Sequence, residues 1–219
     1  MIVADKFLPL LSKYDPDALD RNADAIYGLW PDATIGFLNQ GWFRFAKDNN
    51  AIDIDRWSLG ASILTSIPDS LIPFYKTRYS QILREGGVWE HIYECSSPEM
   101  FRLFHMLTYP IDAQGLLVIN SLRNETPHDR PVNQLPSSEY EDSHGIIHQC
   151  AHCRRVRRVG LEDTWDWAPQ FVGSPSPAIS HGLCFPCFTF YYKSDRDAFP
   201  AVLSTIDGTP SPKDDVNDA

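Results

Sequence analysis

The sequence predicts an α+β protein: a five-stranded antiparallel sheet with its helices gathered on one face, followed by a small cysteine-built module. Three observations carry this. Two short alternating stretches precede two helical stretches and a run of three further strands. A proline-rich polar segment then interrupts the apolar pattern. Beyond it lie two Cys-x-x-Cys pairs, Cys150/Cys153 and Cys184/Cys187, which use four of the five cysteines.

Residues 25–39, AIYGLWPDATIGFLN, read as a hairpin, because apolar residues alternate on either side of a Pro-Asp turn. A helix follows, with Trp42, Phe43, Phe45 and Ala46 crowding one side. A second helix is predicted from Pro68. Leu71, Phe74, Tyr75, Tyr79, Ile82 and Leu83 form its apolar stripe, and Glu85-Gly86-Gly87 ends it. Strands over 88–95, 101–109 and 116–122 complete the sheet, with Ser96-Ser97-Pro98-Glu99 and the segment 110–115 as turns. Ahead of all this, residues 1–24 read as a helical cap. Val3, Phe7, Leu10 and Leu11 share one face of a helix over 3–13, placed either to dimerise or to cover the sheet.

The domain limits that follow are a cap over 1–24, a sheet domain over 25–125, a linker over 126–145, a cysteine module over 146–193 and an acidic, largely disordered tail over 194–219.

Thiolates at Cys-x-x-Cys spacing, in two pairs about 30 residues apart, form a zinc framework. Four sulfurs at roughly 2.3 Å complete the tetrahedron of a closed structural site, with no position left for a catalytic water. The competing readings are disulfides and a redox dithiol. The N-terminus lacks the basic start, apolar core and cleavage site of a secretory signal, which points to the cytoplasm, where disulfides are rare. A redox dithiol goes with one pair beside a βαβ pattern, not two pairs without it. His181, three residues before Cys184, is the alternative ligand to one sulfur, or a supporting group beside the metal; His148 and His152 flank the first pair. A module of about 50 residues is too small to fold on apolar burial alone, so the metal must contribute. Its expected parts are a knuckle with Cys150 and Cys153, a hairpin with Trp165 and Trp167, and a helix opened by Cys184 and Cys187 that carries Phe188, Phe190, Tyr191 and Tyr192. This arrangement resembles a treble clef.

The order of elements, Asn39 at the end of the second strand, Gly60 ahead of Ile67-Pro68, and the run from Trp89 through Pro98 to Arg102 together resemble a PAS sensor domain, over about residues 20–125. The segment from Cys150-Ala151-His152-Cys153 to Ser180-His181-Gly182-Leu183-Cys184 is similar to a cysteine-rich tail found on some bacterial signalling proteins. The resemblance implies a sensor of a small ligand, redox state or partner, with dimerisation through a helix ahead of the sheet. The Asn-Cys-Arg-Phe-Leu-Gln signature of photoactive flavin relatives is missing. For haem, the available histidines are His91 and His105, both on predicted strands and both more simply read as core or surface residues. Cys95 reads as a buried apolar packer.

A formal charge of -10 disfavours phosphate backbones, and no apolar run approaches the roughly 20 residues a membrane span needs. Arg154, Arg155, Arg157 and Arg158 read as compensation for a negatively charged zinc-thiolate centre, or else as a docking patch with Trp165 and Trp167. With no phosphate loop, nucleophile elbow or open metal site, a non-catalytic protein is expected. Acids such as Asp53, Asp55, Glu162 and Asp163 read as solvated loop residues. Three functions remain: a signalling module whose output passes through a protein partner, a nucleic-acid-binding regulator, and a thiol redox sensor that works by zinc release.

Overall fold

The computed structural model describes residues 1–49, 57–133, 135–173 and 178–192 of the 219; the tail reading, Asp53 and Asp55 fall outside the described residues. The chain opens with a two-residue strand, β1 (Ile2–Val3), a 3-10 helix (Leu8–Lys13) and a short helix α1 (Pro16–Arg21). The hairpin follows as β2 (Ala25–Leu29) and β3 (Ile35–Leu38), then helices α2 (Gln40–Asp48) and α3 (Ile72–Glu85). The three further strands are β4 (Trp89–Glu94), β5 (Met100–Ile111) and β6 (Gly115–Pro127). All six strands form one sheet in the order β1-β3-β2-β6-β5-β4, antiparallel throughout.

Four expectations need correction. The sheet has six strands among the described residues, because Ile2 and Val3 pair with Leu38 and Phe37. The helix over 3–13 is instead this strand and a 3-10 helix with Pro9 in its first turn, where a missing N–H costs nothing. Helices do not lie on one face only. Phe7, Leu10 and Leu11 pack on the face of Ile26, Phe37, Ile111 and Leu117, while α2 and α3 cover the face of Tyr27, Leu29 and Val118. Finally, α3 starts at Ile72 rather than Pro68. Pro73 is accommodated only in a first turn, so the residues before it form a separate 3-10 turn.

Phe7 is fully buried because Gly28 and Gly36 leave a notch for its ring. A Cβ on either glycine would fall 2.4 or 2.2 Å from that ring. Of the two readings of these apolar side chains, dimer contact or cover for the sheet, Phe7, Leu10 and Leu11 follow the second. Asn39 is also fully buried. Its side-chain oxygen accepts from the N–H groups of Ile26 and Trp42, each at 2.9 Å, and its amide donates to the carbonyls of Leu19 and Asp24, each at 3.0 Å. One side chain thereby caps α2 and ties α1 to the hairpin.

The second sheet is built from β7 (Ile147–Cys150), β8 (Val156–Arg158), β9 (Leu161–Asp166) and β10 (Ile179–Gly182), in the order β10-β7-β8-β9. Helix α4 (Phe185–Tyr192) follows β10. The stretch read as a linker is not free chain where it is described. β6 runs on to Pro127, the His128 ring lies 4.2 Å from that of Trp167, and Tyr140 is fully buried with its hydroxyl donating to Asp166 at 3.1 Å.

Candidate functional site

The four cysteines converge. Cys150 ends β7, and the turn after it is closed by Arg154 N–H donating to the Cys150 carbonyl at 3.1 Å and Cys150 N–H donating to the Arg155 carbonyl at 2.8 Å. Arg154 sits in this knuckle at φ 61, a left-handed conformation that the tight turn imposes. β10 runs parallel to β7, with Gly182 beside Cys150, which brings Cys184 to the knuckle. Cys187 lies in the first turn of α4. The four sulfurs all lie within 4.8 Å of one another, and Cys153 and Cys184 are 3.8 Å apart. A tetrahedron with sulfur at about 2.3 Å from its centre has edges near 3.8 Å, whereas a disulfide needs about 2.05 Å. The cysteines are free, all four are buried, and the donor set is that of a closed thiolate site. Four close cysteines of this kind could hold a metal ion.

The electrostatics fit that capacity. Hydrogen bonds from Cys153 first, then Cys184 and Cys187, hold the Cys150 thiol well below its ordinary range, while sharing with Cys150 pushes Cys184 and Cys187 up. Four thiols cannot all ionise in one buried space without a cation to offset them. The Cys184 N–H points at the Cys150 sulfur, at 3.5 Å.

The flanking histidines are placed otherwise. His148 faces Asp142 at 3.2 Å, and His152 contacts the Tyr191 hydroxyl at 3.0 Å. His181 is exposed on β10 and stands outside the group of mutually close ligand atoms.

A second feature adjoins the cysteines. A cavity of about 420 Å³ lies between the sheet, α2, α3 and the cysteine module. Sheet and helices contribute Tyr27, Trp42, Tyr75, Tyr93 and Met106, the knuckle contributes Ala151 and Arg154, and α4 contributes Tyr191. Ala151, Phe188, Tyr191 and Tyr192 belong to the same continuous core as Tyr27, Phe74 and Trp89, and the Tyr192 hydroxyl donates to the Ser70 carbonyl at 3.0 Å. The cysteine module is therefore a wall of the sheet domain's core.

This shared wall was not foreseen. The only signal was the aromatic run from Phe188 to Tyr192, denser than a small metal module needs for itself. Of the other candidates, Cys95 lines the cavity, and burial pushes its thiol up, away from thiolate chemistry. His91 and His105 are not on the cavity wall. His91 lies among Phe74, Trp89 and Tyr191, and burial holds it at about 3. His105 is on the opposite face, between Glu90 at 2.5 Å and Arg123 at 3.0 Å. Two members of the arginine run are placed differently. Arg154 turns to the cavity, and Arg158 is paired with Asp166 at 2.7 Å. Trp165 packs on the cysteines and Trp167 is buried.

No family model and no curated protein matches the chain. Among solved structures, it is similar to the photoactive yellow protein domain from the sensor histidine kinase Ppr of Rhodospirillum centenum, with 12% identity and a TM-score of 0.35 over 51% of this chain and 95% of that one. It is also similar to the PAS domain of an HTR-like protein from Haloarcula marismortui, with 21% identity and a TM-score of 0.30 over 48% of this chain and 90% of that one. Among the described residues, no helix is long and apolar enough to cross a membrane.

Proposed function

We propose that this protein is a non-catalytic PAS-like sensor whose cavity takes a small ligand, and whose cysteine module holds one structural Zn2+ in a treble-clef-like arrangement. The observation that carries this reading is the shared wall: Ala151, Arg154 and Tyr191, from segments pinned by the cysteines, close a cavity that the sheet and its helices otherwise form. A ligand that reshapes the cavity shifts the knuckle and α4, and the outer surface of that module passes the change to a protein partner. The site is cytoplasmic in this reading, since reduced thiols are what the metal requires.

The absence of oxygen ligands sets calcium aside, and four sulfurs within 4.8 Å of one another surround a single ion rather than an iron-sulfur cluster; among single ions that take four thiolates, zinc is the one this reading assigns. Bound Zn2+ supplies rigidity and charge compensation, not a reactive water.

Metal analysis with native mass spectrometry of the purified protein is the test. One zinc per chain, with Cys150, Cys153, Cys184 and Cys187 protected from alkylation until a chelator is added, supports the reading. A folded, metal-free protein whose four thiols react freely overturns it.

A further inference from the structure

The wall of the cavity has an uneven charge. Glu94 is the single carboxylate among the described lining residues, and it is already engaged: Arg130 donates to it at 2.7 Å and Ser96 at 2.7 Å. Arg154 is the single cationic side chain among them, and among the described residues its side chain has only a 3.4 Å contact to the Gln149 amide oxygen and no carboxylate partner. The backbone fixes it in place, at φ 61 directly after Cys153. Aromatic side chains, among them Trp42, Trp57, Tyr75, Tyr93 and Tyr191, form much of the remaining surface, beside aliphatic residues and the neutral polar Asn49, Ser66 and Asn120. Burial keeps the Tyr75, Tyr93 and Tyr191 phenols neutral, so they add no negative charge.

We infer that the cavity takes a planar aromatic carboxylate, its ring among the tryptophans and tyrosines and its carboxylate paired with the Arg154 guanidinium. The inference rests on the sensor reading above and names its ligand class. Flat aromatic faces select a flat apolar body. A guanidinium with spare donors selects a carboxylate, which it can bind through two parallel hydrogen bonds. A neutral or cationic ring of the same shape would leave Arg154 desolvated without compensation, which costs affinity. Because Arg154 follows a metal-binding cysteine, the same pairing ties the ligand to the knuckle.

The test uses the zinc-loaded full chain and three probes of one shape, 2-naphthoate, 2-naphthamide and 2-naphthylmethylamine, titrated by tryptophan fluorescence and calorimetry. The naphthoate is expected to bind about tenfold or more tighter than either of the others. Arg154→Gln, which removes the charge but keeps an unbranched polar side chain, is expected to remove that preference while leaving zinc content and circular dichroism unchanged. Chelation of the zinc is expected to weaken naphthoate binding. Equal binding of all three probes, or naphthoate binding untouched by Arg154→Gln, overturns the inference. So does a variant that loses zinc but keeps the naphthoate preference, since Arg154 would then serve the thiolates alone. If none of the probes binds a protein that retains its zinc, the ligand class is wrong and the sensor reading survives; if the starting protein holds no zinc and its cysteines are reactive, the sensor reading fails first.

Discussion

Arg130 donates to the Glu94 carboxylate at 2.7 Å and, through its other terminal nitrogen, to the carbonyl of Cys153 at 2.9 Å. The Glu94 side chain is 5% exposed and that of Arg130 12%. One guanidinium thus fastens the end of β4 to the cysteine knuckle from a segment whose sequence looks like free linker. Arg130 also lies over the rings of Phe101, at 5.4 Å, and Trp167, at 5.0 Å, so its stem and charge are both in use.

Replacing Arg130 by alanine leaves a buried carboxylate without its counter-charge. A loss of about 3–5 kcal/mol in urea unfolding is expected. The double replacement Glu94→Gln with Arg130→Met removes both charges and is expected to recover much of that loss. Equal destabilisation by the single and double variants would mean that the pair is not coupled.

Phe7 and Gly36 allow a sharper packing test. A Cβ on Gly36 falls 2.2 Å from the Phe7 ring, so Gly36→Ala either displaces the ring or lifts the N-terminal segment off the sheet. A cost of about 1–3 kcal/mol is expected from overpacking. In a Phe7→Leu background the conflict is smaller, and the Gly36→Ala penalty should shrink. Additive penalties in the double-mutant cycle would show that the two positions do not share the notch.

His91 gives the protein a pH dependence. Burial, foremost, lowers its imidazole from the usual 6.5 to about 3, so between those values the unfolded chain binds a proton that the folded chain does not. Stability from this group is complete above about pH 6.5 and is lost as pH falls toward 3, at about 1.4 kcal/mol per pH unit. His91→Phe keeps an aromatic ring beside Trp89 and cannot titrate. The difference in urea stability between pH 7 and pH 5.5 should therefore be smaller in the variant by about 1 kcal/mol, and identical slopes would remove His91 as the source.

α2 and the later strands were legible because period-3.6 and period-2 patterns survive wherever one face is buried, as in β4, where Trp89 and His91 are buried and Glu90 and Ile92 exposed; the hairpin, buried on both faces, was legible as two short apolar stretches about a Pro-Asp turn. The four cysteines were legible because their spacing is itself the geometric requirement. What escaped detection were single residues whose partners are far away in sequence. Residues 123–127 extend β6 without an apolar signal, because they are exposed and paired through their backbone and contacts such as Arg102 with Glu125 at 2.6 Å. Tyr140 is one aromatic in a polar stretch, yet it is fully buried in the core of the second sheet. Arg154 reads as one of four arginines until the turn at φ 61 singles it out.

Cys187→Ser tests the link between the cysteines and the sheet domain. With zinc bound as proposed, a serine hydroxyl is a poor ligand in place of the thiolate, and because zinc binding in small modules is worth about 10–16 kcal/mol, the substitution is expected to remove most of what orders the knuckle and α4. In an independent appendage the damage would stop there. Here Phe188, Tyr191 and Tyr192 of α4 lie in one core with Phe74 and Trp89, and the Phe74 and Tyr191 rings meet at 4.9 Å. Release of α4 therefore exposes the inner face of the sheet as well. Hydrogen exchange should quicken in α3 and β4 as well as in the cysteine module, and the same pattern should follow chelation of the proposed zinc from the unsubstituted chain. Exchange confined to that module, with α3 and β4 as protected as before, would mean that the sheet domain holds its core without the cysteine module.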